Sequence, residues 1–189
     1  MDRNLAAAVS RASIINVSGW FQRHASPKIR TVAGSAAGGR WGLPGAYPVI
    51  YLGRPSESVV VEAYRHLVDG VEGMRPDLVG PRTVFEVEVV LTQILDLRDL
   101  TSLREVGLDQ AALLGPHAPC QRVGQAAHQL GLHGVLAPAA TEIGETLALF
   151  ERHLPESELP AVVAISRWGE LPADPRTLEQ RARQMQEGR

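Results

Sequence analysis

An arginine, a tyrosine and a glutamate are the residues of this chain whose types and setting first suggest chemistry. Arg40 follows Gly38 and Gly39 in the run GGRWGLPGA, Tyr51 lies near the end of the apolar run YPVIYLG, and Glu62 sits in VVVEAYRHL. Glycines ahead of an arginine let the backbone turn sharply and approach a ligand, so Gly39 reads as a point of close approach. Arg40 offers a planar fork of donors suited to phosphate, and Trp41 offers a stacking face. Glu62 is embedded in Val59, Val60, Val61 and Ala63, where a carboxylate faces the core or a cleft and needs a positive partner. An arginine in the preceding loop is the natural candidate. An isolated Glu/Arg pair is more often two solvated surface charges, so the case rests on the surrounding pattern.

Other reactive residue types point elsewhere. His117, His128 and His133 are close in sequence, but none is paired at i, i+4 with a helical glutamate beside it, so they do not read as a zinc site. His128 reads as a packing or surface histidine. Cys120, the single cysteine, opens an apolar helix and reads as a small core residue rather than a nucleophile. Alone, it excludes an intramolecular disulfide. No Gly-x-Gly-x-x-Gly run follows a strand, so a Rossmann dehydrogenase is not indicated.

The elements that must position these residues follow from periodicity. Residues 1–12 suit a short amphipathic helix, and Ile14 to Arg23 carry strand-forming residues. The stretch 34–46 is a glycine-rich loop, followed by a buried strand over 47–53. A helix over 56–69 has Ser56 as its N-cap and Gly70 as its stop. Residues 71–82 connect to the clearest strand of the sequence, 83–97. A helical piece spans 101–113, and a second main helix spans 120–131, with Gly131 ending it. Three short strands follow at 134–139, 146–150 and 161–168. From Pro172 onward the chain is charged and helical in pattern. The expectation is one mixed α+β domain over 1–171, with a mostly antiparallel β core flanked by helices, and a charged helical tail over 172–189.

Composition bounds the function. With 189 residues and 44% hydrophobic residues the chain can bury a core. Its net charge of -2 argues against a protein that coats nucleic acid. The start has no long apolar region of a signal peptide, and no window approaches the roughly 20 apolar residues of a membrane span. A cytoplasmic protein without a membrane partner is expected.

Over roughly residues 19–150 the order of features resembles the RES-domain family, named for a recurrent arginine, glutamate and serine. Arg23 in WFQRHA matches the family arginine that ends an early strand. Gly38, Gly39, Arg40 and Trp41 match a Gly-Gly-Arg-Trp loop, Ile50, Tyr51 and Leu52 match an Ile-Tyr-Leu strand, and Glu62 stands eleven residues after that tyrosine. The later run CQRVGQAAHQLGLHGVLAPAA resembles the family's helix and strand more loosely. Two departures stand out. His24 follows the first arginine where a tyrosine is common, and Ala118 falls where the family serine is expected just before the 120–131 helix.

The resemblance implies a fold similar to the ADP-ribosyltransferase catalytic core and cleavage of the nicotinamide–ribose bond of NAD. Inorganic phosphate or water is the implied acceptor, and NAD is a substrate rather than a resident cofactor. Arg23, Arg40, Tyr51 and Glu62 are the implied catalytic set. Glu62 would stabilise positive charge at the ribose, the arginines would clamp the diphosphate or an incoming phosphate, and Tyr51 would stack on nicotinamide. His24, Gly39, Trp41, Ala118 and Gln121 complete the implied NAD-binding set, with no metal. The implied setting is a toxin neutralised by a helical antitoxin, with a homodimer also implied. Two alternatives remain open: transfer of ADP-ribose to a protein, and a catalytically weakened binding module, for which Ala118 is the motive.

Overall fold

The computed structural model describes residues 3–177. Helix α1 (Arg3–Arg11) leads into β1 (Ile14–Ala25), and the glycine-rich connection returns through β2 (Val49–Arg54) to α2 (Ser56–Tyr64). After β3 (Arg82–Asp96) come α3 (Leu100–Glu105), α4 (Gln110–Leu114) and α5 (Ala118–Gln129). Strands β4 (Gly134–Pro138), β5 (Glu145–Phe150) and β6 (Ala161–Trp168) follow. The strand order is β1-β2-β5-β4-β3-β6, and β1 also pairs with β3. Five strands therefore close on themselves, and β6 lies along the outside of β3. Only β3 and β4 pair in parallel, which matches the mixed, mostly antiparallel core expected from the sequence.

β3 is long enough to serve two neighbours along one edge. Its first half, Arg82 to Glu88, pairs with β6, and its end, Ile94 to Asp96, pairs with β4. The closure between β1 and β2 is much thinner. These two strands meet only at Gln22 opposite Gly53. Continued antiparallel pairing would set His24 opposite Tyr51, but the strands splay there and leave a gap at their ends.

Two apolar cores flank the curled sheet. Phe21, Ile50, Leu52, Phe85, Val87, Leu136 and Leu149 fill the space enclosed by the strands. On the other side, α1, α3, α4 and α5 bury Val9, Leu103, Leu113 and Val123 against Trp41, Val135 and Phe150. Alternation along β3 explains the division. Phe85, Val87, Val89 and Leu91 are buried, while Glu88 and Val90 between them are exposed, the period of two expected of a strand with one covered face.

The helical elements depart from the sequence expectations at identifiable points. Residues 101–113 form two helices, because Gly107 takes φ 75° and interrupts them. Each is started by an aspartate: Asp99 accepts from the Thr101 and Ser102 N–H groups, and Asp109 from Ala112. Ser56 is not the N-cap of α2. Pro55 holds that position without a side-chain cap, and its carbonyl accepts from the Ser58 N–H. The helix widens at Arg65–Asp69 into a π-type turn, so only the first part of the expected 56–69 helix is α-helical. Helix α5 begins two residues early, at Ala118, and stops before Gly131, whose φ of 80° suits a C-terminal glycine.

The beginning of the tail is tied down. The Tyr64 hydroxyl donates to the Pro172 carbonyl at 2.8 Å, and Arg176 bridges Asp69 and Asp174. Residues 178–189, which carry most of the expected tail helix, lie outside the described residues. Among the described residues, no helix is long and apolar enough to cross a membrane.

One close approach is demanding. A Cβ built on Gly124 of α5 would lie 2.1 Å from the Trp41 carbonyl oxygen, and backbone cannot yield as a side-chain tip can. Gly124→Ala is expected to destabilise the protein by about 2–3 kcal/mol or more through overpacking, read as a lowered urea midpoint. An unchanged midpoint would show that α5 and the loop shift apart freely.

Candidate active site

The splayed ends of β1 and β2 open onto a cavity of about 340 Å³, within the range of small-molecule sites. It gathers Arg23 and His24 from β1, Gly39, Arg40 and Trp41 from the glycine-rich loop, Tyr51 from β2 and Glu62 from α2. Seven of the residues singled out in the sequence thus share one cavity. The wall also contains groups that sequence reasoning missed: Arg65, His66, His117, Thr141 and Thr146. His66 had a usable signal, since it lies four residues after Glu62 on the same helical face. Thr141 and Thr146 had none, because they arrive from the far end of the chain.

Among the described residues, Glu62 is the only carboxylate in this wall, against three arginines and three histidines. Its Oε1 lies 3.7 Å from His66 Nε2. Enclosure pushes the Glu62 pKa up, but the neighbouring His66 imidazole and the charge of Arg23 outweigh it, leaving it below the ordinary value. Glu62 is therefore ionised at neutral pH. His66 responds in the opposite sense: the neighbouring Glu62 carboxylate raises its pKa despite partial burial.

Burial pushes His24 down to about 4, opposed by Glu62 and reinforced by Arg82. Arg82 Nε donates to His24 Nδ1 at 3.4 Å, and Trp168 stacks on the ring with centroids 6.0 Å apart. His24 is thus neutral at pH 7, with Nε2 left as the ring's N–H donor. Arg23 donates to the Ala33 carbonyl at 2.9 Å. Burial lowers its pKa, partly offset by Glu62 and Glu151, and a guanidinium so placed remains charged.

The loop is held from below. The Tyr51 hydroxyl accepts from the Trp41 N–H at 3.0 Å, and a Cβ at Gly39 would fall 2.6 Å from that hydroxyl oxygen. Glycine at 39 is thus required by contact with Tyr51, a more specific reason than loop flexibility. Burial pushes the Tyr51 pKa up to about 12, so its oxygen stays protonated and fixed. Arg40 donates to the carbonyls of Ala112 and Gly115 at 3.1 and 3.2 Å, which latches the loop to the end of α4.

Three expected NAD-binding residues are placed differently. Trp41 is only 1% exposed, so its indole is a core anchor and not an open stacking face. Gln121 donates to the carbonyls of Gly39 and Gly42 at 3.0 and 3.4 Å, bracing the loop from behind rather than lining the cavity. Ala118 stands exposed at the start of α5, outside the cavity wall, while its neighbour His117 lines it. A hydroxyl at 118 is therefore not what this cavity lacks. Its hydroxyls come from Thr141, which bonds Ser58 at 3.1 Å, and from Thr146. Cys120 and His128 behave as read from the sequence: the first is buried, and the second packs on Tyr47 with ring centroids 3.8 Å apart.

A curled, split β core carrying one carboxylate in a strongly cationic cleft defines an α+β protein built to hold an anionic ligand beside a fixed negative charge. The RES domain model matches residues 17–173, and the chain belongs to the RES domain family. It is 27% identical over 163 residues to the NAD(+) phosphorylase MbcT of Mycobacterium tuberculosis, covering 84% of this chain and 88% of that protein. It is 34% identical over 158 residues to the probable NAD(+) phosphorylase Rv3189 of the same organism, covering 82% and 75%. The crystal structure of the M. tuberculosis MbcT–MbcA toxin–antitoxin complex contains a chain that superposes with a TM-score of 0.80 at 25% identity, covering 88% of this chain and 93% of that one.

The low pKa of His24 sets a pH dependence of stability. In the unfolded chain a histidine titrates near 6.5, whereas folded His24 titrates near 4. Between these values the unfolded state binds more protons, so this contribution falls as pH drops through the window and is constant above it. Roughly 2 kcal/mol should be lost between pH 7 and pH 5 on this account. Urea titrations at the two pH values should show a shallower loss in His24→Gln, and parallel losses would mean that His24 protonates in place.

Proposed function

We propose that this chain is an NAD-cleaving enzyme that breaks the nicotinamide–ribose bond and passes the ADP-ribosyl group to inorganic phosphate, acting as the toxin of a toxin–antitoxin pair. The observation that carries this reading is the ionised Glu62 standing alone among Arg23, Arg40, Arg65 and His66 in one cavity. The names of the relatives, both NAD(+) phosphorylases, support the same chemistry.

The charges suit the reaction step by step. Departure of nicotinamide breaks the C1′–N bond, whose electron pair leaves with the ring nitrogen, and the ribose carbon gains oxocarbenium character. Glu62 supplies a fixed negative charge beside that carbon and an acceptor for ribose hydroxyls. Arg23 and Arg65 hold the diphosphate of NAD or the incoming phosphate, whose oxygen forms the new bond to C1′. His24, neutral with its proton on Nε2, donates to a ribose hydroxyl without adding another positive charge beside the developing cation. Tyr51 and Arg40 act mainly by holding the loop that closes the cavity, with the Tyr51 ring also presented to the nicotinamide. A cognate antitoxin neutralises the enzyme by covering this cleft.

Nicotinamide release from NAD by the purified protein, with and without inorganic phosphate, tests the reading. Release should depend on phosphate and fall about 10²–10³-fold in Glu62→Gln, with the melting temperature little changed. Phosphate-independent release would replace phosphorolysis with hydrolysis. Tight NAD binding without release would make the chain a binding module.

A further inference from the structure

A second concavity lies over the face formed by β3 and β6, lined by different residues from the cavity of Glu62, although Trp168 at the end of β6 stacks on His24. Pro27, Ile29 and Ile165 provide its apolar surface above the buried Phe85, and Arg30 and Arg167 stand beside them. Its volume is about 390 Å³. Neither arginine has a hydrogen-bond or ion-pair partner among the described residues. Other cations, such as Arg104, Arg122 and Arg152, also lack a side-chain partner among the described residues; what sets Arg30 and Arg167 apart is that they stand together beside exposed apolar side chains on one groove.

The strand beside the groove is open as well. Among the described residues, β6 pairs with β3 on one side and with no strand on the other. Its side chains are apolar and exposed: Val162 at 43%, Val163 at 44% and Ile165 at 62%. Edge strands are normally blunted by charge, proline or a covering element, because free N–H and C=O groups recruit other chains. A bulge between Glu86 and Val87 disturbs the start of β6, but Ala164 to Trp168 pairs regularly and keeps a free outer edge. Phe85 lies directly opposite Ile165, and Thr83 opposite Arg167, so the groove and the edge are continuous.

We propose that this edge is a docking site for an extended, acidic–apolar segment of a partner protein, which adds as a strand to β6. Its backbone satisfies the open edge, an apolar side chain meets Ile165 and Ile29, and carboxylates meet Arg30 and Arg167. Charge decides the occupant. A second copy of β6 would bring another Arg167 and no carboxylate, since Ala161–Trp168 contains no acidic residue. Residues 178–189 of this chain hold three arginines and two glutamates, so they add positive charge where negative charge is needed. A nucleic acid would meet the arginines but leave the strand edge unpaired.

The test uses a fluorescent seven-residue peptide of alternating glutamate and valine, and its lysine–valine counterpart, titrated into the full chain. The acidic peptide should bind, and Arg30→Glu/Arg167→Glu should weaken it roughly tenfold or more, with nicotinamide release unchanged. Amide exchange over Ala164 to Trp168 should slow on binding, which charge attraction alone would not produce. Equal binding of both peptides, or none up to about 1 mM, the weak end of peptide recognition, would overturn the proposal. So would a dimer in sedimentation that Ile165→Asp makes monomeric, which assigns the edge to a second copy. Binding of an oligonucleotide in place of the peptide would overturn it too.

Discussion

The Trp41 backbone lies so close to α5 that only a glycine at 124 admits it, and the geometry of the cleft depends on that contact. The segment from Gly38 to Gly42 contains no helix or extended strand, and only the short Gly39–Gly42 bridge gives it structure of its own. It is held instead by its surroundings. Tyr51 takes the Trp41 N–H, Gln121 takes the carbonyls of Gly39 and Gly42, and Arg40 reaches the end of α4. The indole of Trp41 is sunk among the helices. A loop so clamped presents its backbone and Arg40 at a fixed place without the entropy loss that a free glycine-rich segment would suffer on binding.

Charge in the cleft follows from the same packing. Enclosing walls weaken solvent screening, so each charge there acts more strongly than it would on the surface. One carboxylate among several cations is then kept ionised, and burial, reinforced by Arg82, keeps His24 neutral. The cleft stays net positive after Glu62 is counted, which favours an anionic ligand. Glu62 keeps that field from being uniform by placing one negative point within it.

The two apolar cores divide the work. Residues enclosed by the strands stiffen the curled sheet, and the helical side anchors the loop. The cleft opens where the enclosing sheet is thinnest, at the single register point between β1 and β2. β6 contributes little to either core, because nearly all its side chains are exposed. Its pairing with β3 extends the sheet sideways and leaves an edge whose apolar side chains the remainder of the described fold does not cover.

Strand and helix positions were largely legible in the sequence, because alternation in 83–97 and helical spacing in 120–131 reflect which faces are buried. The glycine-rich loop, Tyr51 and Glu62 were likewise legible as a group, since a carboxylate inside an apolar helix and glycines before an arginine are local facts. Local signals do not report partners distant in sequence. Ser56 looked like a cap, but the chain turns so that Pro55 takes that place. Trp41 looked like a stacking face, but the α5 core claims its ring. Gln121 was read as touching substrate, and it braces the loop instead. The residue types able to do chemistry were determined by the sequence alone. Which of them face the cleft was decided by the closure of β1 on β3, the splay of β1 from β2 and the packing of α5 on Trp41, because each joins segments tens of residues apart whose contact no local spacing encodes.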